Sequence, residues 1–120
     1  MKEFIKVTKA LSDPTRVKIL KMLQKKVLCV CEIQSALDRA QSTISKHLKI
    51  LEDAGLITYE KDGLWVNYDL ADGTQSPYAA SLIGNMRHWL EDDAEIKDIM
   101  VKLPEIDRKD IIKQQFNFTD

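Results

Sequence analysis

The chain is poor in the residues that carry most catalytic and scaffolding signatures. It has four glycines, too few and too scattered to build a glycine-rich phosphate loop. It has two cysteines, Cys29 and Cys31, and without an export signal these read as thiols or metal ligands rather than as a disulfide. No apolar run approaches the length of a membrane span, and the opening MKEFIKVTKALSDPTR lacks the apolar core of a secretory signal, so a cytoplasmic protein is expected. No Ser/His/Asp or Cys/His set lies within plausible reach, and a binding protein is expected rather than an enzyme. Internal repeats and low-complexity stretches are also missing. A length of 120 residues suits one domain that buries a real core without metal or disulfide staples.

Charge is scarce only in the net. The formal total is −1, but residues 1–51 carry eleven Lys/Arg against four Asp/Glu, a net of +7, and residues 52–120 carry seven against fifteen, a net of −8. A domain polarised in this way keeps an electrostatic footprint for nucleic acid in its basic half.

What is present is organised around Gln41–Gly55, QSTISKHLKILEDAG. Ile44, Leu48 and Leu51 recur at i, i+4 and i+7, one stripe of an α-helix. The opposite face is then Ser42, Ser45, Lys46 and Lys49, with hydroxyls near the N-terminus and cations beyond. Gly55 is placed to close the helix in the left-handed conformation. A solvated surface helix would look the same in isolation, so the neighbouring segments decide.

Residues 2–11 form a short first helix, with Phe4, Ile5, Thr8 and Leu11 on one side. Ser12-Asp13-Pro14 is a helix start. The second helix follows over about Thr15–Lys25, with Val17, Leu20, Met22 and Leu23 inward and Arg16, Lys18, Lys21 and Lys25 largely outward. Cys29–Leu37 makes a third helix, and Asp38-Arg39-Ala40 turns the chain into the central one. Two short helices so joined form a helix-turn-helix. After Gly55 the period becomes alternating, through Ile57, Tyr59, Leu64, Val66, Tyr68 and Leu70, and Asp62-Gly63 marks a tight hairpin. The expected fold is therefore mainly α with a small β-hairpin wing (α+β), a winged helix-turn-helix. Lys61 lies beside the wing tip, in reach of a phosphate. Past a loop at Gly73–Pro77, a long amphipathic helix begins at Tyr78, with Ala79, Leu82, Ile83, Met86, Trp89 and Leu90 on one stripe. That stripe exceeds what a small core needs and implies a partner chain. A helical piece over Glu95–Leu103 ends at Pro104, and the tail Ile106–Phe118 carries a weak helical pattern (Ile111, Ile112, Phe116).

Four blocks in this order and spacing, Leu11–Leu23, Val27–Ile33, Gln41–Ile57 and Gly63–Leu70, resemble the ArsR/SmtB family of winged-helix repressors. The resemblance covers roughly residues 4–92. It implies a homodimer that binds double-stranded palindromic operator DNA, with an interface built from residues 2–11 and 78–93. Residues 1–93 would then be the DNA-binding and dimerisation domain, and residues 94–120 a C-terminal helical extension of no assigned role. By position, the resemblance puts DNA contacts on Gln41, Ser42, Thr43, Ser45 and Lys46, to which the periodicity adds Lys49 and the wing adds Lys61. His47, at the edge of the buried stripe, reads as a packing or capping residue.

The segment VLCVCEI is similar to the sensor motif of the arsenic- and antimony-responsive members. Soft thiolates prefer thiophilic ions, and Lys25 and Lys26, just before the pair, would ease deprotonation. In a regular helix, residues i and i+2 point about 200° apart, so ligation by both Cys29 and Cys31 is expected to unwind the first turn of the third helix and so weaken DNA binding. Several arsenic sensors carry a third cysteine three residues on, where this chain has Gln34. The cadmium/lead type adds cysteines in the N-terminal segment, and residues 1–11 have none. The zinc type uses an Asp-x-His that would fall on Gln75 and Pro77, so His88 reads as a surface residue. Glu91-Asp92-Asp93 reads as a solvated helix end. The expected inducer is arsenite or antimonite. Two other readings stay open: a repressor whose thiols sense oxidants or sulfur species, and a winged-helix protein-interaction module without a metal site.

Overall fold

The computed structural model describes the backbone of residues 1–117 and the side chains of residues 1–112. The helices are α1 (Lys2–Ala10), α2 (Pro14–Leu23), α3 (Val30–Leu37), α4 (Gln41–Asp53), α5 (Pro77–Met86), α6 (Ala94–Lys102) and α7 (Arg108–Asn117), and a 3₁₀ turn (Leu103–Glu105) joins the last two. Three strands, β1 (Leu28–Cys29), β2 (Ile57–Asp62) and β3 (Trp65–Leu70), form one antiparallel sheet in the order β1-β3-β2. The expected tail helix corresponds to α7. The Phe116 side chain and Phe118 lie outside the described residues.

Local chemistry explains where the central helices start and stop. Asp13 Oδ1 accepts from the amides of Thr15 at 2.8 Å and Arg16 at 3.2 Å, while Pro14 occupies the first turn, where no amide proton is needed. Gly55, at φ +78°, ends α4. Its amide donates to Glu52 O at 2.9 Å and that of Leu56 donates to Leu51 O at 3.0 Å, the paired bonds that satisfy a helix C-terminus. Between these caps the stripe Ile44, Leu48 and Leu51 is fully buried, each side chain contributing about 2 kcal/mol by leaving water. It packs on α2 and α3 in a core that includes Val7, Ile19, Met22, Ile33 and Leu56.

Several details depart from the sequence reading. Lys21 does not face outward; it is 1% exposed. Its Nζ donates to Met86 O at 2.8 Å, Trp89 O at 2.9 Å and Glu91 Oε1 at 3.2 Å. An ammonium beneath the last turn of α5 satisfies carbonyls that a longer helix would have used, so the helix ends at Met86 instead of running on. The chain then turns through Leu90 at φ +63°, and Trp89 and Leu90 sit beyond α5, each close to half exposed. Glu91 is thus an ion-pair partner, and Asp93 caps α6 by accepting from Ile96 N at 3.1 Å. Removing the Lys21 amine would strand the buried Met86 carbonyl, at a cost of about 1–3 kcal/mol. Arg16 is also partly buried. It donates to Ala10 O at 2.7 Å and lies 3.1 Å from His47 Nδ1, tying α1 and α2 to α4. His47 is half-buried at that contact. Lys18 is partly covered and pairs with Glu95 at 3.5 Å.

The hairpin register pairs Asp62 with Trp65, so the two-residue turn is Gly63-Leu64, one position later than expected, with Gly63 at φ +62°. Leu64 is 99% exposed at the tip instead of facing inward. Strand β1 was not expected at all. It pairs Leu28 with Tyr68 and Cys29 with Asn67, which removes Cys29 from the third helix. Ile96, Ile99 and Leu103 are buried, and Ile99 and Leu103 join the same core as α2–α4.

Candidate nucleic-acid interface and thiol site

Gln41, Ser42, Thr43, Ser45, Lys46 and Lys49 are all exposed on α4. Gln41 is the first helical residue and Ala40 the cap, so Gln41 and Ser42 sit where amides lack intrahelical partners and where anions are favoured. Lys46 points away from the buried stripe one turn on. Lys49 lies on the same side, but its Nζ is 3.1 Å from Asp53 Oδ1, a pairing that pushes the ammonium pKa up and ties the side chain to its own helix. Lys61 is exposed on β2, opposite Val66 and next to the wing turn. These seven residues occupy one helix face and a wing edge.

The two thiols are arranged differently from the expectation of a divergent helical pair. Cys29 caps α3 in an extended conformation, φ −87° and ψ 168°, because β3 holds it in the sheet, while Cys31 lies in the first helical turn. The change from strand to helix between them brings the sulfurs together, Sγ to Sγ 2.8 Å. No turn has to unwind for both to reach one atom. Glu32 reaches back to accept from Cys29 N at 2.9 Å, the reciprocal half of a capping arrangement.

The electrostatics also run against the expectation. Cys29 is 2% exposed, and burial pushes its thiol up to about 12, with the Cys31 thiol and the Glu32 carboxylate adding to the effect. Lys26 does not offset this, because its Nζ donates to Ile106 O at 3.0 Å, and Lys25 is exposed. Burial therefore holds the Cys29 thiol protonated at neutral pH. Cys31 is partly open to an adjoining cleft of about 290 Å³, whose walls include Cys29, Gln34, Gln41, Trp65 and Val66. Gln41 thus belongs to both sites. Glu32, Trp65 and the pairing with Asn67 carry no sequence signal; only the S/T-x-x-E-like spacing of Cys29 and Glu32 hints at the cap.

A helix-turn-helix with its second helix exposed along one polar, cationic face, flanked by a hairpin, defines a DNA-binding winged-helix protein. The model of the arsR family of bacterial regulatory proteins matches residues 13–59. The HTH-type transcriptional regulator MJ1325 of Methanocaldococcus jannaschii is 45% identical over 67 residues, 55% of this chain and 75% of that protein. The arsenical resistance operon repressor of Escherichia coli is 43% identical over 68 residues, 56% of this chain and 58% of the repressor. Among solved structures, reduced HlyU from Vibrio cholerae superimposes with a TM-score of 0.62 at 30% identity, covering 75% of this chain and 92% of HlyU. The chain belongs to the ArsR family of winged helix-turn-helix transcriptional repressors. Its relatives are regulators and not enzymes. No helix among the described residues is long and apolar enough to cross a membrane.

Proposed function

We propose that this protein is a cytoplasmic, homodimeric repressor that leaves its operator when arsenite or antimonite binds Cys29 and Cys31. The observation that carries the inducer assignment is the 2.8 Å approach of the two sulfurs at the mouth of a cleft shared with Gln41. Arsenous acid brings its own leaving groups. Each As–OH exchanged for As–S takes the thiol proton away as water, so protonated thiols are suitable partners. A divalent cation must instead expel protons from a group pushed up to about 12, which disfavours cadmium and zinc at two sulfurs.

Ligation couples to DNA through the cleft. An arsenic atom held by the two sulfurs would keep a third valence, and the adjoining cleft that could take its third ligand is lined by Gln34, Gln41 and Trp65. Filling that space bears on the first residue of α4 and on the wing strand together. Any ligand that favours the displaced arrangement lowers the population of the DNA-binding one. The test is a titration of the reduced protein on its own upstream DNA. Arsenite and antimonite should release it at lower concentration than cadmium or zinc; release by zinc alone would overturn the assignment.

On DNA, Gln41, Ser42, Thr43, Ser45 and Lys46 are assigned to the major groove, with Lys49 and Lys61 on flanking phosphates. Lys46→Ala should weaken binding to every sequence and reduce the salt slope by about one unit. Gln41→Ala should relax discrimination at one base position, at a cost of about 1–3 kcal/mol on the correct site. Equal losses for Gln41→Ala on specific and random DNA would remove its base-reading role. Two α4 helices about 34 Å apart would match a palindrome with half-sites one turn apart.

A further inference from the structure

We propose that the C-terminal arm, residues 94–112, is a positioning element of the thiol site, holding Cys29 beside Cys31 through Arg108 and the Ile106 carbonyl. The arm is anchored by Leu103, 2% exposed in the core, and α7 packs on α3. From there it grips the chain on both sides of Cys29. On one side Lys26 Nζ donates to Ile106 O at 3.0 Å, fixing the turn that leads into β1. On the other, Arg108 Nη1 donates to Asn67 Oδ1 at 2.9 Å, and Asn67 is the strand partner of Cys29. The same guanidinium stacks over Trp65, 4.7 Å from the ring centroid, and Trp65 is a wall of the thiol cleft. A two-residue strand has little stability of its own. Pinning β3 at residues 65 and 67 keeps Cys29 extended, and that extended conformation is what makes the sulfurs converge. The arm therefore lowers the ordering cost of binding a ligand to both thiols.

The proposal rests on Cys29 and Cys31 being the inducer ligands, and its test reads the dithiol directly. The probe is phenylarsine oxide on the full chain. Two As–S bonds form, the two thiol protons leave with the oxide oxygen as one water, and no atom changes oxidation state. Arg108→Ala should raise the concentration for half-saturation about tenfold, while operator affinity without probe stays at the parent's value. Asn67→Ala should weaken the probe too, and the double variant should be no weaker than Arg108→Ala alone, as two ends of one contact require. Parent-like affinity in Arg108→Ala, losses that add in the double variant, or a parent that takes up no bidentate adduct would each overturn the proposal. A loss of operator affinity in Arg108→Ala as large as the loss of probe affinity would overturn it as well, since that marks a general folding role. If arsenite fails to release the parent from DNA while Arg108→Ala still loses probe affinity, the induction reading falls and the arm's role stands.

Discussion

Cys29→Ser and Cys31→Ser should each bind the operator as the parent does and stay bound at arsenite concentrations that release it. The first half of this expectation follows from the cap. Cys29 stands at the N-cap of α3 in an extended conformation, a position that serine fills at least as well, since its hydroxyl can accept from the first-turn amides. Cys31 is only partly buried, so a hydroxyl there meets the cleft and not a dry core. The second half follows from chelation. With both sulfurs within 2.8 Å of each other, the second As–S bond forms in an intramolecular step, and losing that advantage should cost about 10² or more in affinity. Gln34→Cys works in the other direction. Residue 34 lies three positions after Cys31, on the same side of α3, and it lines the cleft, so a third sulfur there should tighten arsenite binding without altering DNA affinity in its absence. Anisotropy of labelled operator during arsenite titration measures all three variants. By linkage, operator DNA must weaken arsenite binding by the factor that arsenite weakens operator binding. Release of Cys29→Ser at the parent's arsenite concentration would make the thiols packing residues and put the inducer site elsewhere.

Elements whose causes are local were legible in the sequence. The buried stripe of α4, the Asp13 cap and the left-handed Gly55 depend on residues within a turn of one another, and each is where the spacing puts it. What could not be read depends on distant partners. Lys21 looks like one more surface cation of α2 until α5 and the chain after it supply Met86 O, Trp89 O and the Glu91 carboxylate, 65–70 residues away. The same contact explains why an apolar stripe running on to Leu90 does not make a helix of that length. At the thiol site the spacing of two cysteines was visible, but their convergence was not, because β1 exists only through pairing with β3. The 200° divergence of a regular helix is sound geometry applied to a residue that is not helical. The shift of the Cys29 thiol has the same origin: the neighbours in sequence are lysines, whereas burial and Glu32 set its environment.

Ile5→Glu should convert the protein to a monomer and, with it, lower operator affinity by at least about 10²-fold. On one side of the molecule, α1 and α5 present Phe4, Ile5 and Tyr78 at 44%, 48% and 40% exposure, and Phe4 and Tyr78 meet edge to face with centroids 5.3 Å apart. A patch of this kind joining two helices is an interface signature. In a two-fold dimer each residue of the patch occurs twice, so one substitution buries two unpaired carboxylates, and about 2 kcal/mol for each already shifts dissociation by roughly 10³-fold. The operator effect follows because a monomer engages one half-site and loses the gain from linking two. Val101→Glu is the control: Val101 is 76% exposed on α6, a helix that contributes none of the three patch residues, and should leave both mass and affinity unchanged. Trp89, although beyond the end of α5, is 46% exposed, and Trp89→Ala should weaken the dimer less than Ile5→Glu if it lies at the rim. Light scattering at micromolar concentration, run beside operator titrations, reads both quantities. A parent that is already monomeric, or an Ile5→Glu variant that keeps the dimer mass and the parent's affinity, would show that α1 and α5 do not form the interface.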